Sequence, residues 1–162
     1  MVMMGGKSGG GGLAGLVGKA KGMLGPTGPA DSSGCGASAA ARARLRHGVP
    51  AWVFRFDGVY DNQRITPQPG LAGAYHSSDV PMTFGTTELR PGVAKDTPAQ
   101  AALSKHWRHA WAEFARDPEN GLKKLGWPVY DPAKETLVRL GYKNGSEPVF
   151  ASNAPFIKGC EA

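Results

Sequence analysis

The sequence predicts a mixed α/β fold, because its helix and strand patterns alternate along the chain. A helix pattern, a short aromatic strand, a loop, a long amphipathic helix and a second strand follow one another between residues 37 and 141. Two short strands are too few for a stable sheet, which usually needs three or more with a covered face. We therefore expect these elements to form one end of a larger sheet. Without the rest of that sheet, the strand edges and a face of Trp and Phe side chains would lie open and favour self-association.

The first 34 residues are rich in Gly and Pro, and we expect residues 1–34 to form a disordered leader before a domain at residues 35–162. The apolar stretch at residues 13–24 contains three glycines, each of which costs about 1 kcal/mol in a helix. A helix that contacts membranes or partners is the alternative there. The sequence shows neither a signal peptide nor the ~20 apolar residues of a membrane span. We expect no stable membrane insertion, and the localisation of the chain stays open.

The first element of the domain is a helix predicted over residues 37–46. Ala, Arg and Leu, all strong helix formers, fill this stretch, and Gly48 followed by Pro50 ends it. Residues 51–56 read as a strand, because they are aromatic and are bounded by Pro50 and Gly58. Since side chains alternate along a strand, one face would carry Trp52, Phe54 and Phe56.

The clearest helix begins at Thr97, the predicted N-cap, with Pro98 in the first helical position. Its apolar residues recur at helical spacing and form one broad face. They are Leu103, Trp107, Ala110, Trp111 and Phe114. Asp117-Pro118 ends the helix. A second strand is predicted over residues 136–141, and the tail after it is rich in Pro and Gly.

The chain is basic, with a formal net charge of +6 and a pI near 9.5. Such a balance suits a polyanionic partner. However, the Lys and Arg residues are scattered over several helices and loops, and the densest cluster, at residues 42–47, has the character of a solvated helix face. We therefore expect no nucleic-acid binding.

One loop carries the most informative motif. Residues 73–85 read Gly-Ala-Tyr-His-Ser-Ser-Asp-Val-Pro-Met-Thr-Phe-Gly, which places His76 on a loop that runs into a short helical turn. This run resembles the histidine loop of type-B carboxylesterases, the cholinesterase-like branch of the α/β-hydrolases. The flanking segments also resemble those of the family in the same order, and the segments after the loop are similar to those of fungal members. They are the Cys-led helix at residues 35–44, the strand at 48–56, the long helix at 107–115, the Trp127-Pro128 turn and the last strand at 136–140.

The resemblance implies the C-terminal part of an α/β-hydrolase fold. In that family the triad residues come in the chain order Ser, Asp or Glu, His, so His76 is the predicted general base. The implied reaction is hydrolysis of a carboxylic ester through an acyl-enzyme, with no cofactor. The nucleophile and the acid lie upstream in the family, so we expect the chain alone to be inactive. The alternative is a non-catalytic interaction module that uses the Trp/Phe face as its contact surface.

The resemblance also implies a disulfide between Cys35 and Cys160, since cysteines flank this region in cholinesterase-like enzymes; two separate free thiols are the alternative. Family members are often secreted. Asn144-Gly145-Ser146 is an N-glycosylation sequon, which agrees weakly with a secreted protein.

Three other patterns are weaker. Residues 6–10 formally match G-x-S-x-G, but no strand precedes them and glycines follow, so no nucleophile elbow can form. Asp79 and Glu88 could orient His76, although Asp79 is better explained as a helix cap. His106, His109 and Glu113 lie on one helix as H-x-x-H-x-x-x-E. A solvated polar face explains them better than a metal site, because the spacing lacks the H-E-x-x-H pattern.

Overall fold

The computed structural model describes residues 32–64 and 74–160. The predicted disorder and alternative helix of the leader, the G-x-S-x-G match at residues 6–10 and residues 65–73 of the loop before His76 lie outside the described residues.

A small mixed sheet forms the centre of the described chain. Strand β1 (Val53–Phe56) pairs in parallel with β2 (Leu137–Leu140), with Val53 opposite Leu137. Strand β3 (Val149–Ala151) then adds to the other edge of β2 in the antiparallel direction, which gives the order β1-β2-β3. The two predicted strands are confirmed. The third was not predicted, and it lies in the tail that we described only as rich in Pro and Gly.

Three helices cover one face of the sheet: α2 (Val80–Phe84), α3 (Pro98–Arg116) and α4 (Gly121–Lys124). The predicted start of α3 is confirmed, because the Thr97 hydroxyl accepts a bond from the Gln100 amide and the Gln100 side chain accepts one from the Thr97 amide. Helix α3 buries its apolar face against β1. Its Trp107 ring meets the rings of Phe54 and Phe56 at 5.7 and 5.4 Å between centroids.

The opposite face of the sheet is covered by α1 (Ser32–Arg46) and α5 (Ala154–Ile157). Helix α1 begins five residues before its predicted start and ends where predicted. The smaller core on this side is built from apolar residues of α1, the sheet and the segment before β2. They are Ala41, Ala51, Val53, Tyr130 and Leu137, with Leu45 and Phe156 packed against them. The arrangement is three layers, with helices on both sides of the sheet.

The Trp/Phe face that we expected to lie open is buried, so that expectation was wrong. Trp52, Phe54 and Trp107 are each at most 3% exposed. Helices α2 to α4 and the Trp127-Pro128 turn cover this face of the strand pair. The exposed large apolar residues in the described part lie elsewhere: Val49, Val80, Phe84, Leu89, Val149 and Phe150.

A disulfide joins Cys35 in α1 to Cys160 after α5, 125 residues apart in sequence. The implied pairing is confirmed, and it ties the two ends of the described chain together. Among the described residues, no helix combines the length and apolar character needed to cross a bilayer.

Candidate active site

His76 lies on a tight turn with an exposed side chain. The Ser78 amide donates to the Tyr75 carbonyl at 3.0 Å and closes a four-residue turn. Ser77 adopts a φ of 68°, the left-handed value that the third residue of a type II turn requires. The Val80 amide then donates to the Ser77 carbonyl at 3.1 Å and leads the chain into α2. His76 is therefore presented at the tip of a turn whose backbone bonds are made on both sides.

Tyr75 anchors this turn to the segment that leaves β1. Its hydroxyl donates to the Gln63 carbonyl at 2.7 Å, and Gln63 belongs to a short 3-10 helix, Asp61–Gln63, that follows β1. Asn62 in the same helix is held by α3, because the Gln100 side chain donates to the Asn62 side-chain oxygen at 3.0 Å. In sheets with parallel strands, ligands bind beyond the carboxyl ends of the strands. The histidine turn is attached to chain that leaves this end of β1.

Helix α2, which follows the histidine turn directly, is anchored to α3. Met82 is fully buried, and the Ser104 hydroxyl of α3 donates to the Met82 carbonyl at 2.7 Å. Gly85 ends α2 with a φ of 66°. A Cβ there would lie 2.8 Å from the guanidinium carbon of Arg108, a flexible side chain that can move, so it is the backbone conformation that favours glycine.

Asp79 precedes α2, but its side chain makes no capping hydrogen bond. The predicted capping role was therefore wrong. Asp79 has helical backbone angles, φ −74° and ψ −25°, whereas a capping residue usually has extended ones that turn its side chain back to the helix amides. Burial raises the pKa of the Asp79 carboxyl, while the nearby amides of Asp79 and Val80 and the charge of His76 act in the opposite direction. Asp79 is thus electrostatically coupled to His76.

Glu88, the other candidate to orient His76, is used elsewhere. Its Oε1 accepts a bond from the Asp96 amide at 2.8 Å and fixes the loop before α3. In residues 32–64 and 74–160, we find no hydrogen bond between the His76 side chain and a serine or a carboxylate. The described chain therefore holds a presented histidine without an assembled triad.

His106, His109 and Glu113, the H-x-x-H-x-x-x-E residues of α3, do not share a common partner. The indole N–H of Trp127 donates to His106 Nε2 at 3.4 Å, and the two rings stack. Glu113 pairs with Arg116 at 2.6 Å, and His109 is exposed. No group of three His, Cys, Asp or Glu residues that could hold a metal occurs within the described ranges.

Two loops meet at the carboxyl end of the strand pair. The loop after β1 contains Gly58 and Val59, and the loop after β2 contains Gly141 and Asn144. The Val59 amide donates to Asn144 Oδ1 at 2.9 Å, and Asn144 Nδ2 donates to the Val59 carbonyl at 2.9 Å. A Cβ on Gly141 would lie 2.9 Å from the Gly58 Cα, so the two backbones are in close contact.

Sequence reasoning missed the anchor between Tyr75 and Gln63 and the role of Asn62. The two contacts join residues that are 12 and 38 positions apart in the sequence, and no local pattern marks them. The side-chain amide of Gln63 and the hydroxyl of Ser78 are buried, and neither has a hydrogen-bond partner among residues 32–64 and 74–160. Ser78 lies in the histidine turn and Gln63 is bonded to Tyr75, and only the folded chain shows that both side chains are buried.

The comparison with known proteins agrees with this arrangement. The sequence model of the carboxylesterase family matches residues 32–154, more than half of the chain. The chain belongs to the carboxylesterase family. The carboxylesterase chain is also similar to Secreted lipase 5 of Gibberella zeae, with 34% identity over 113 residues. That match covers 68% of this chain and 20% of the lipase, so the chain spans about a fifth of the length of this curated relative. No solved structure matches the chain.

Family membership implies the α/β-hydrolase fold, and the observed mixed sheet with helices on both faces agrees with that fold at the level of α/β class. The matched region begins at Ser32, the first residue of α1. It contains the whole histidine turn, both parallel strands and helix α3.

Proposed function

We propose that this chain is the C-terminal segment of a serine carboxylic-ester hydrolase and that His76 is its general base. The observation that carries the proposal is the tight turn that presents His76 within the matched family region. A general base must be held where it can take a proton from a nucleophile, and its own orientation must be fixed. The turn bonds and the Tyr75 anchor fix the backbone that carries His76, and the acid of the complete triad would orient its imidazole.

His76 would take the proton of a serine as the serine attacks the ester carbonyl, and it would then donate the proton to the leaving alcohol. Water would hydrolyse the acyl-enzyme by the same route in reverse. The serine, the acid and the oxyanion donors would come from the part of the hydrolase domain that precedes this segment. Asp79 remains beside His76 as an electrostatic neighbour, and we assign it no role as the triad acid.

Two buried serines of the described chain are already bonded to other groups, which supports the proposal that the chain alone is inactive. Ser38 is bonded to Tyr130 and Ser104 to the Met82 carbonyl, and neither is bonded to a histidine. We expect a fluorophosphonate probe, read by intact mass, to leave the isolated chain unmodified. An adduct that disappears in a His76→Ala variant would show a self-contained nucleophile and histidine, and it would contradict this part of the proposal.

A chimera tests the role of His76 directly. The segment of the G. zeae lipase that matches this chain is replaced by the corresponding residues of this chain, and hydrolysis of a short p-nitrophenyl ester is measured. We expect activity in the chimera and a loss of about 10⁴-fold or more in kcat when His76 is replaced by Ala. His109→Ala is the matched control. His109 is also exposed, and its replacement should leave kcat unchanged. Equal activity of the two variants would refute the assignment.

A second candidate function is supported by the exposed apolar residues that follow His76. Phe84 and Leu89 are 69% and 75% exposed, and both lie within 13 residues of the histidine in sequence. Exposed apolar side chains mark a contact surface when they form a contiguous patch. In this second proposal Phe84 and Leu89 form such a patch, and the chain acts through it as a non-catalytic interaction module in place of the buried Trp/Phe face.

Sedimentation of the purified chain separates the two functions. An interaction surface predicts concentration-dependent association that Phe84→Ser and Leu89→Ser together reduce. Lys105→Ser, another exposed substitution, serves as the control. A monomer at all concentrations, with no binding of an apolar dye, would count against the interaction module.

A further inference from the structure

The sequon Asn144-Gly145-Ser146 has a structural role that its sequence does not show. Asn144 ends the short 3-10 helix Tyr142–Asn144 after β2. Its side-chain amide forms two hydrogen bonds with a single residue of the neighbouring loop, accepting from the Val59 amide and donating to the Val59 carbonyl, both at 2.9 Å. We call this pair of bonds the Asn144 clamp.

The geometry of the clamp identifies which hydrogen of Nδ2 is used. Nδ2 carries two hydrogens, one cis to Oδ1 and one cis to Cβ. When the oxygen and the nitrogen of the side-chain amide bond the same residue together, the donating hydrogen is the one cis to Oδ1. An N-linked sugar converts the side chain into a secondary amide, which strongly prefers the trans arrangement. The sugar carbon is then trans to Cβ and on the same side as Oδ1. It occupies the position of the hydrogen that donates to Val59.

We propose that Asn144 is a glycosylation site that is open only before the chain folds, and that a glycan at Asn144 and the Asn144 clamp exclude each other. In the transfer from a polyprenyl-diphosphate oligosaccharide, a bond forms between sugar C1 and Nδ2. The C1–O bond to the diphosphate breaks, and the diphosphate leaves with the electron pair. Nδ2 gives up one proton, which the leaving diphosphate takes up. In the folded chain the hydrogen at that position is held by Val59.

The backbones of the two loops that form the clamp approach each other closely at one point. Gly141 and Gly58 are in backbone contact, since a Cβ on Gly141 would lie 2.9 Å from the Gly58 Cα. Asn144 itself has a φ of 57°, a conformation that Asn tolerates better than most residues. The residue is nevertheless exposed, so exposure alone would predict a reactive sequon in the folded protein. The clamp predicts the opposite.

A rate comparison tests the proposal. A purified single-subunit oligosaccharyltransferase and a polyprenyl-diphosphate oligosaccharide are offered the folded, oxidised chain and a flexible peptide covering residues 139–150. We expect the peptide to be glycosylated at least tenfold faster than the folded chain, with no product from Ser146→Ala in either form. Comparable rates for the folded chain and the peptide would overturn the proposal. So would an unreactive peptide, because the sequon would then be closed in every state.

A matched pair of variants tests whether the clamp is the cause. Gly141→Ala should force the two loops apart and raise the glycosylation rate of the folded chain severalfold. Gly92→Ala is the control, because Gly92 also has a positive φ, of 76°, but a Cβ there would meet no neighbour within 4 Å. Equal rates in two folded variants would contradict the clamp as the cause. If Gly141→Ala does not fold, a second measurement decides: chain that is glycosylated at Asn144 before refolding should melt at a lower Tm than unmodified chain.

Discussion

At the scale of single residues, Ser77 is the position where the histidine turn depends most on backbone conformation. Its φ of 68° lies in the left-handed region, which costs an L-residue roughly 1–2 kcal/mol relative to a conformation it prefers. Glycine enters this region freely, but it loses more conformational entropy on folding. The presentation of His76 therefore depends on a residue that is small enough to accept this φ.

We expect Ser77→Val to destabilise the chain by about 1–3 kcal/mol, because a β-branched residue is strained at positive φ. Ser77→Gly should change the free energy of unfolding by less than about 1 kcal/mol, since the two effects of glycine oppose each other. Urea unfolding followed by Trp fluorescence measures both. Ser146→Val is the control, because Ser146 is not among the positive-φ residues. Equal losses for the two valine variants would contradict the role of φ.

A second residue-scale feature is the carboxyl of Asp96, which lies in the polar network around Asn62. Burial raises its pKa above 3.8; the hydrogen bond from the Asn62 amide opposes this shift, and the charge of Glu88 adds to it. The Asn62 amide donates to Asp96 Oδ1 at 2.8 Å. Since the folded pKa is raised, the folded state binds this proton more tightly than the unfolded state. At a pH above the folded pKa, ionised Asp96 therefore lowers the free energy of unfolding. Well below pH 3.8 the carboxyl is protonated in both the folded and the unfolded state, and this cost disappears.

Asp96→Asn should consequently stabilise the chain at pH 7, because the amide keeps an oxygen for Asn62 and loses the charge. The advantage should shrink as the pH falls through the folded pKa and vanish near pH 3, where both states of the wild type are protonated. Urea midpoints of the two proteins at pH 3, 5 and 7 provide the measurement. An advantage that is constant with pH would show that the charge of Asp96 is not the cause.

At the scale of secondary-structure elements, one carboxylate joins the two parallel strands. Arg55 and Arg139 are opposite each other in register, and Asp57 accepts from both, at 3.0 and 2.7 Å through its two oxygens. The guanidinium of Arg139 also lies 3.9 Å from the ring centroid of Tyr142. Two like charges can face each other across the strand pair because Asp57 stands between them.

Replacing Asp57 by Asn should leave the two guanidiniums without a counter-charge and destabilise the chain by about 1–3 kcal/mol. The value is below the 3–5 kcal/mol of a fully buried pair, because these side chains keep 14–28% of their exposure and water screens them. Glu113→Gln breaks an ion pair with the exposed Arg116 and should cost no more than about 0.5 kcal/mol. The two losses are compared by denaturant unfolding. A cost for Asp57→Asn no larger than that of the control would disprove the bridging role.

The elements that the sequence predicted are those with local signals. The long helix α3 has a Thr-Pro start and an apolar face at helical spacing, and β1 has alternating aromatic residues. Strand β3 lacks such a signal, because it has only three residues and two of them, Val149 and Phe150, are exposed. Its pairing depends on β2. The contact between Asp57 and Arg139 spans 82 residues, so only the folded chain brings these side chains together.

In the candidate site, too, the features with a local sequence signal were predicted, and those that depend on folding were not. The resemblance of the histidine loop predicted His76 from its neighbours in sequence, and its catalytic role remains a prediction. The loop match could not indicate that Tyr75 anchors the turn to Gln63 or that the Asp79 side chain forms no cap. Those features depend on backbone angles and on contacts made after folding.

At the scale of the whole molecule, the Cys35–Cys160 disulfide closes a loop of 125 residues in sequence separation. In the chain-entropy treatment, a loop of this size reduces the freedom of the unfolded chain by about 5 kcal/mol. We expect the double variant Cys35→Ser, Cys160→Ser to lose roughly 3–5 kcal/mol of stability, measured by denaturant unfolding of oxidised wild type and variant. Wild type under reducing conditions should match the variant. A reduced wild type as stable as the oxidised form would disprove the contribution.

The same disulfide determines how the molecule would respond to a mechanical pull. The Cα atoms of Cys35 and Cys160 are 5.3 Å apart, so tension applied at the two ends passes through the covalent bond and bypasses the sheet. The enclosed chain, which could extend to about 400 Å, stays slack. In a single-molecule stretching experiment the oxidised protein should show no unfolding peak from residues 36–159, and a reductant should release that length.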